Sequence, residues 1–305
     1  MGESESDDVR SWSGPIEQMG DAERRALIDV MTADEGPSVT VTEALRNNWL
    51  EIWYQPKIDF KHKCLAGAEA LARINHPQLG VLLPGSFLAD VDDDAIAELA
   101  EHALLVTMSD WVMFEKAGFN LHLAINVPAG VLFRMPVTEL VAEYRPKSER
   151  WPGLIIEVNE DQIVSDIGLA HEFAAEMRGS AVSISIDDFG AGYSSFSSLR
   201  NLSFAELKVD RSFVRDCATD TTNAAICQTA IDLSHRFGSA AVAEGIETQA
   251  DLQALMAMGC DFGQGVLIAP PMPKERFLDL LHQRNKPRAG AAPAQPGGKL
   301  VDRVA

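Results

Sequence analysis

Ser183-Ile184-Ser185-Ile186-Asp187-Asp188-Phe189-Gly190-Ala191-Gly192-Tyr193-Ser194-Ser195 opens as a short run with β-branched residues and ends in two adjacent carboxylates and a glycine-punctuated loop. The run suits a buried strand, and the abrupt change to acids and glycines marks its end. Adjacent aspartates in that position are costly, because each raises the other's pKa and burial penalises both charged forms. A divalent cation is the usual compensation; a solvated strand-to-loop turn is the alternative.

Outward from this stretch the chain alternates strand-like and helix-like segments. Strands are expected at Glu51 to Gln55, Ala66 to Leu71, His122 to Val127, Leu154 to Val158, Val182 to Ile186, Glu206 to Val209, Ala240 to Ala243 and Gly265 to Ile268. Apolar residues at i, i+3 and i+4 predict helices over Asp94 to Glu115, Val137 to Tyr144, Thr221 to Phe237, Gln249 to Met258 and Lys274 to His282. Eight strands with intervening helices over roughly 250 residues predict an α/β fold of the (β/α)8 barrel type. The Lys57 to Leu65 connection is too short for a crossover helix, so the first two strands should instead be antiparallel, a modification of the ideal barrel.

Residues 1–37 are polar and acidic and read as a linker or N-terminal extension, with one helical pattern from Asp21 to Gly36. Residues 285–305 carry too few large apolar groups to order themselves, so the folded domain is expected to span 38–284. The net charge of −19 argues against a nucleic-acid polymer or an anionic membrane surface as partner, since both need a basic footprint. No apolar run approaches the ~18 residues of a spanning helix, so membrane insertion is not expected. Met1-Gly2 with Ser6 matches an acylation signal in its letters, but Glu3, Glu5, Asp7 and Asp8 oppose an anionic leaflet. Cys64, Cys217, Cys227 and Cys260 are scattered without a CxxC pair, which fits a reducing cytoplasm.

The residues at or just past the strand ends form a set. They are Glu69, Asn126, Glu157, Asp187 with Asp188, Lys208 with Asp210, and Glu244 with Glu247, while Gln264 opens the last strand. Consecutive strands each contributing such a group place a ring of oxygen donors at the carboxyl-terminal face, where barrel enzymes carry their chemistry. Carboxylates and an amide carbonyl, without histidine or thiolate, are hard donors suited to Mg²⁺ or Mn²⁺.

Tyr54-Gln55-Pro56, Gly67-Ala68-Glu69-Ala70-Leu71-Ala72-Arg73, Asn126, Glu157-Val158-Asn159-Glu160, Asp187-Asp188-Phe189-Gly190, Leu207-Lys208-Val209-Asp210-Arg211-Ser212-Phe213-Val214, Ala243-Glu244-Gly245-Ile246-Glu247-Thr248 and Gln264-Gly265 follow one another in this order. Together they resemble the EAL family of cyclic-di-GMP phosphodiesterases, over the span from Tyr54 to Pro273. A lone Glu-Ala-Leu carries no information; the ordered set does.

The resemblance implies that Glu69, Asn126, Glu157 and Asp187 hold one metal ion and that Asp187, Asp188 and Glu244 hold a second, with Asp187 bridging. It gives Lys208 the attacking water and places Gln55, Leu71, Arg73, Asp210, Glu247 and Gln264 at substrate-contacting positions. Glu160 matches a glutamate that braces the loop after Asp188, a loop associated in the family with homodimers. The implied reaction is hydrolysis of cyclic di-GMP to linear 5′-pGpG with two Mg²⁺ or Mn²⁺ ions, inhibited by Ca²⁺. Simpler readings stand beside these roles: a surface salt bridge for Arg73, an ion pair with Asp210 for Lys208, a rim hydrogen bond for Gln264, and solvent exposure for Glu160. A non-catalytic cyclic-di-GMP receptor and a metal-stabilised enolate enzyme are the competing functions; the complete ligand set favours hydrolysis. Four positions depart from the common pattern: Ile74 for a tryptophan, Asn159 and Ala191 for threonines near the loop, and Val266 for an aromatic residue.

Overall fold

Leu50–Asp59 (β1) turns over residues 60–63 and returns as Cys64–His76 (β2). The two strands pair antiparallel from Leu50↔Ile74 to Asp59↔Cys64, as their short connection requires. The computed structural model of the chain describes residues 39–89, 91–165, 167–177, 179–190 and 202–284. The readings placed above on residues 1–37, on Ala191 and its loop, and on 285–305 lie outside the described residues.

The strands that follow are Gly80–Leu82 (β3), His122–Asn126 (β4), Leu154–Asn159 (β5), Val182–Phe189 (β6), Glu206–Val209 (β7), Ala240–Ala243 (β8), Phe262–Gly263 (β9) and Met272–Pro273 (β10). Strands β2, β4, β5, β6, β7, β8 and β9 are successive parallel neighbours, and β1 closes the ring antiparallel to both β2 and β9. The result is the expected eight-stranded barrel with one reversed strand; β3 and β10 extend its rim beside β2 and β1.

The helices are Val41–Arg46 (α1), Pro84–Phe87 (α2), Asp93–Lys116 (α3), Ala129–Leu132 (α4), Val137–Tyr144 (α5), Glu160–Ser165 (α6), Ile167–Met177 (α7), Arg211–Val214 (α8), Thr221–Arg236 (α9), Gln249–Ala257 (α10) and Lys274–Arg284 (α11). Their local signals are ordinary ones. Asp92 caps α3 by accepting from the Ala95 N–H at 2.9 Å, and Lys116 offsets the dipole at its other end. Leu104, Met108, Trp111 and Phe114 bury one stripe of this helix. Between β2 and β4 the backbones approach closely because residue 67 is glycine: a Cβ there would lie 2.1 Å from the His122 carbonyl oxygen.

The last barrel strand is Phe262–Gly263, not the expected Gly265 to Ile268, which forms a turn closed by the Ile268 N–H on the Gly265 carbonyl. The apolar letters of Val266-Leu267-Ile268 mimic a strand. Closure instead uses a glycine, since a Cβ on Gly263 would meet the Phe60 ring at 2.4 Å and the Ile246 Cδ1 at 2.6 Å. Gln264 therefore lies just past a strand's carboxyl end, as Glu244 does after β8.

The barrel interior is polar at two levels. Near its amino-terminal end Lys57, 2% exposed, donates to both carboxylate oxygens of Glu206, 0% exposed, at 2.6 and 2.7 Å. Burial and the Lys57 charge push neighbouring His122 down to about 4, so it is neutral at physiological pH. Buried pairs of this kind recover their desolvation cost through good geometry, here two short bonds. Two residues further along β7, Lys208 lies on the same face as Glu206 and begins the second polar level.

Candidate metal centre

Lys208 is 1% exposed, and its ammonium lies 2.6 Å from Glu157 Oε2, 2.6 Å from Glu244 Oε1, 3.2 Å from Asp187 Oδ1 and 3.7 Å from Glu69 Oε2. Four strands thus bring a carboxylate to one cation. Two amides complete the cluster. Asn126 Nδ2 donates to Glu69 Oε1 at 2.6 Å, and Gln264 Nε2 donates to Glu69 Oε2 at 2.6 Å and to Glu244 Oε1 at 2.9 Å.

Asp188 reaches the same place by a local irregularity. Successive residues of a regular strand face opposite ways, so adjacent aspartates should diverge. The β6–β7 register shifts between Ile186 and Phe189, and Asp188 adopts φ 55°. This bulge-like step re-aims the second carboxylate. Ligand oxygens of Asp187, Asp188 and Glu244 then fall within 4.8 Å of one another. The left-handed backbone is tolerable because aspartate can bond locally: the Asp188 N–H donates to Asp187 Oδ1 at 3.0 Å. Asn159 Nδ2 also donates to Asp188 Oδ2 at 2.7 Å, while Asn159 Oδ1 accepts from the Asp161 N–H at 3.0 Å. Asn159 therefore orients a member of the cluster, a role that its position as a departure from the usual threonine did not signal.

The electrostatics follow from crowding. Burial would lower Lys208, but Glu157, Glu244, Glu69 and Asp187 together hold it well above the ordinary lysine value. Burial would raise Glu69, yet Lys208 and the bonds from Asn126 and Gln264 keep it below the usual carboxylate range. Burial and the neighbouring carboxylates raise Glu157 well above that range and Glu244 to about 8, despite their contacts with Lys208. The two ends of the Lys208–Glu157 pair thus shift in the same direction. One ammonium cannot satisfy so many acids, and near neutral pH the cluster retains a proton. Asp188 is raised by burial, Asp187 and Asp210.

The other sequence-derived candidates surround this cluster without joining its hydrogen bonds. Gln55 Nε2 donates to the Ala269 carbonyl at 3.3 Å, and Leu71 and Arg73 continue the Glu69 face of β2 toward the mouth. Asp210 is not the partner of Lys208. It caps α8, accepting from the Ser212 N–H at 2.9 Å and from the Ser212 hydroxyl. Glu247 is half-buried in the turn before α10. Arg73 is a buried residue rather than a surface one, and Glu160 is also buried, its Oε2 accepting from the Gly190 N–H at 3.1 Å.

A family pattern described as the EAL domain matches residues 38–271. The chain belongs to the EAL domain family. RocR of Pseudomonas aeruginosa, named a cyclic di-GMP phosphodiesterase, is 32% identical over 270 residues, covering 85% of this chain and 67% of RocR. MucR of the same bacterium, named a bifunctional diguanylate cyclase/cyclic di-GMP phosphodiesterase, is 34% identical over 250 residues, and that match spans 35% of MucR. A solved MucR phosphodiesterase in a c-di-GMP complex is 32% identical with TM-score 0.71, covering 78% of this chain and 97% of that one. A solved EAL domain protein from Listeria monocytogenes is 27% identical with TM-score 0.65, covering 79% and 96%.

For this EAL domain the raised acids have a measurable consequence in the presence of a chelator. An unfolded glutamate titrates near 4.5, whereas Glu244 in the fold does so at about 8 and Glu157 is also raised. A group whose folded value lies above its unfolded value contributes stability that is complete below the lower value and is lost as pH rises through the higher one. The melting temperature in EDTA is therefore expected to fall between about pH 5 and pH 8.5. Divalent cations should flatten the decline, because they replace the retained proton. A melting temperature that rises with pH across this window in EDTA would contradict the crowding described for Glu157 and Glu244. No helix among the described residues is long and apolar enough to cross a membrane.

Proposed function

We propose that this EAL domain hydrolyses cyclic di-GMP to linear 5′-pGpG with two Mg²⁺ or Mn²⁺ ions held by Glu69, Asn126, Glu157, Asp187, Asp188 and Glu244. What carries the reading is charge balance. Four carboxylates surround one ammonium and a fifth, Asp188, lies beside Asp187 and Glu244, so with all acids ionised the cluster carries four formal negative charges, the charge that two divalent cations neutralise. The donors are all oxygen, as hard cations require. The family relationship and the names of RocR and MucR support the substrate.

When bound at these residues, two divalent ions would lower the pKa of the attacking water and stabilise the charge that builds on the phosphoryl oxygens. The chain's own groups do the rest. Asp187 spans both ligand sets. The Lys208 ammonium, fixed among four carboxylates, stands beside the attacking oxygen and favours its deprotonated form. Arg73 offers a planar fork of donors to a non-bridging phosphate oxygen. Addition of water to one phosphorus breaks its bond to the 3′ oxygen. The products are a 3′ hydroxyl and a 5′ phosphate in the same, now linear, dinucleotide.

Incubation with cyclic di-GMP and Mg²⁺ or Mn²⁺, followed by chromatographic separation of nucleotides, is expected to show conversion to pGpG. Binding without conversion under either metal would replace this reading by the receptor one, and neither binding nor conversion would remove the substrate assignment. Ca²⁺ provides a second check. It prefers six to eight oxygens at about 2.3–2.6 Å, against about 2.0–2.1 Å in near-octahedral geometry for Mg²⁺. Calorimetry in Ca²⁺ should therefore report binding of cyclic di-GMP while pGpG fails to accumulate until Mg²⁺ is restored. Full turnover in Ca²⁺ would count against the assignment of Asp187, Asp188 and Glu244 as ligands.

A further inference from the structure

Arg73 ends the inward face of β2 that begins with Gly67 and Glu69, and it is 5% exposed. Its Nη1 donates to the Ala72 carbonyl at 2.7 Å, and its buried Nε meets no acceptor among the described residues. A buried donor without a partner costs about 1–3 kcal/mol, so a site that keeps one has a use for it. Burial lowers the guanidinium to about 10 while Glu69 opposes that shift, and it stays cationic at neutral pH.

What holds this group in place is a residue of the reversed strand. Trp53 lies opposite Leu71 across the β1–β2 ladder and is therefore a diagonal neighbour of Arg73. The Arg73 Cζ lies 5.9 Å from the indole centroid, within the range of a cation–π contact. The indole is itself pinned at its edge. Its Nε1–H donates to Glu51 Oε2 at 2.9 Å, and Glu51 Oε1 accepts from Asn75 Nδ2 at 2.7 Å. Asn75 is in turn tied through its backbone N–H to the Trp49 carbonyl at 2.7 Å.

We propose that Trp53 is a positioning residue that holds the Arg73 guanidinium against its indole face so that the unpartnered Nε–H points at a phosphate oxygen of the substrate. The alternative acceptor for a released guanidinium is Glu69, whose charge already acts on Arg73. An Arg73 turned inward to Glu69 would be lost to the substrate and would compete with the cations for that carboxylate. The stack therefore separates the phosphate-binding cation from the metal-binding acid four residues away on the same strand. This role rests on the reading of the site as a cyclic-di-GMP phosphodiesterase.

The test is a double-mutant cycle with a conservative rescue. Trp53→Ala is expected to raise KM for cyclic di-GMP about 5- to 30-fold, the ratio that corresponds to a desolvated cation–π contact. Its kcat should stay within about 3-fold, because the ligand cluster is untouched. Trp53→Phe keeps a ring face and should restore KM to within about 3-fold of wild type. In an Arg73→Ala background, Trp53→Ala should add less than about 2-fold. Melting temperatures of wild type and the four variants separate packing loss from positioning. Unchanged KM in Trp53→Ala, penalties that multiply in the double variant, or a Trp53→Phe protein as impaired as Trp53→Ala would each overturn the proposal. A wild-type protein inert toward cyclic di-GMP would instead overturn the functional reading and this role with it, so the two failures are distinct.

Discussion

Asp187→Asn is expected to abolish turnover, by at least ~10³-fold in kcat, while leaving the protein folded. In the proposed mechanism Asp187 is a ligand of both ions; such a ligand controls several kcal/mol of transition-state stabilisation, and each 1.36 kcal/mol is a factor of ten in rate. Asparagine matches aspartate in shape, and its carbonyl oxygen can still accept the Asp188 N–H that Asp187 Oδ1 accepts at 3.0 Å. What disappears is charge: Lys208 loses a carboxylate at 3.2 Å, and Glu244 loses a repulsive neighbour that contributes to its rise to about 8. In chelator the variant should therefore melt no lower than wild type, and the usual opposition of stability and activity at a functional site should be visible in a single substitution. Titration with Mn²⁺ should stabilise wild type more than the variant. Near wild-type turnover in Asp187→Asn with metal present would mean that the bridging ligand has been misassigned.

Lys208→Met should have the second largest effect, and it separates two roles of one side chain. In the proposed mechanism the ammonium acts on the attacking water, an interaction realised mainly in the transition state, so kcat should fall about 10²- to 10⁴-fold with little change in KM. In stability, the substitution removes a buried cation from contact with Glu157, Glu244, Asp187 and Glu69. Breaking a buried ion pair by deleting one partner costs about 3–5 kcal/mol, and here the uncompensated acids must take up protons to survive. The variant should melt well below wild type in EDTA at neutral pH. Saturating Mn²⁺ should recover most of that loss without recovering kcat. An unchanged kcat with a raised KM would make Lys208 a uniform phosphate binder, and equal melting temperatures in EDTA would contradict its place as the cluster's own counter-ion.

The metal-ligand candidates were legible because each comes from the end of a segment whose type is encoded locally. Glu69, Glu157, Asp187 and Glu244 each follow a short apolar run, and in a closed barrel such positions converge, although β2 runs on past Glu69 to His76. The reversed first strand was legible for an equally local reason, the shortness of the connection between Lys57 and Leu65. Where local letters and closure disagreed, closure won. Val266-Leu267-Ile268 has strand composition, yet Phe262–Gly263 makes the last strand, because only a residue without a side chain fits between Phe60 and Ile246.

By itself, then, the sequence determined the barrel, the reversal of its first strand and the residues from which an acidic site is built. Tertiary structure alone decided how those acids share one cation, how a bulge brings Asp188 beside Asp187, and how Asn159 holds it there. It also joined Lys57 to Glu206 across 149 residues and set the Trp53 ring against Arg73. Periodicity reports which face a side chain occupies, but not which partner it meets there. That partner is chosen when the ring closes and strands far apart in the chain come into register, and in a low-dielectric interior the spacing of a few ångströms so imposed sets both charge state and reactivity.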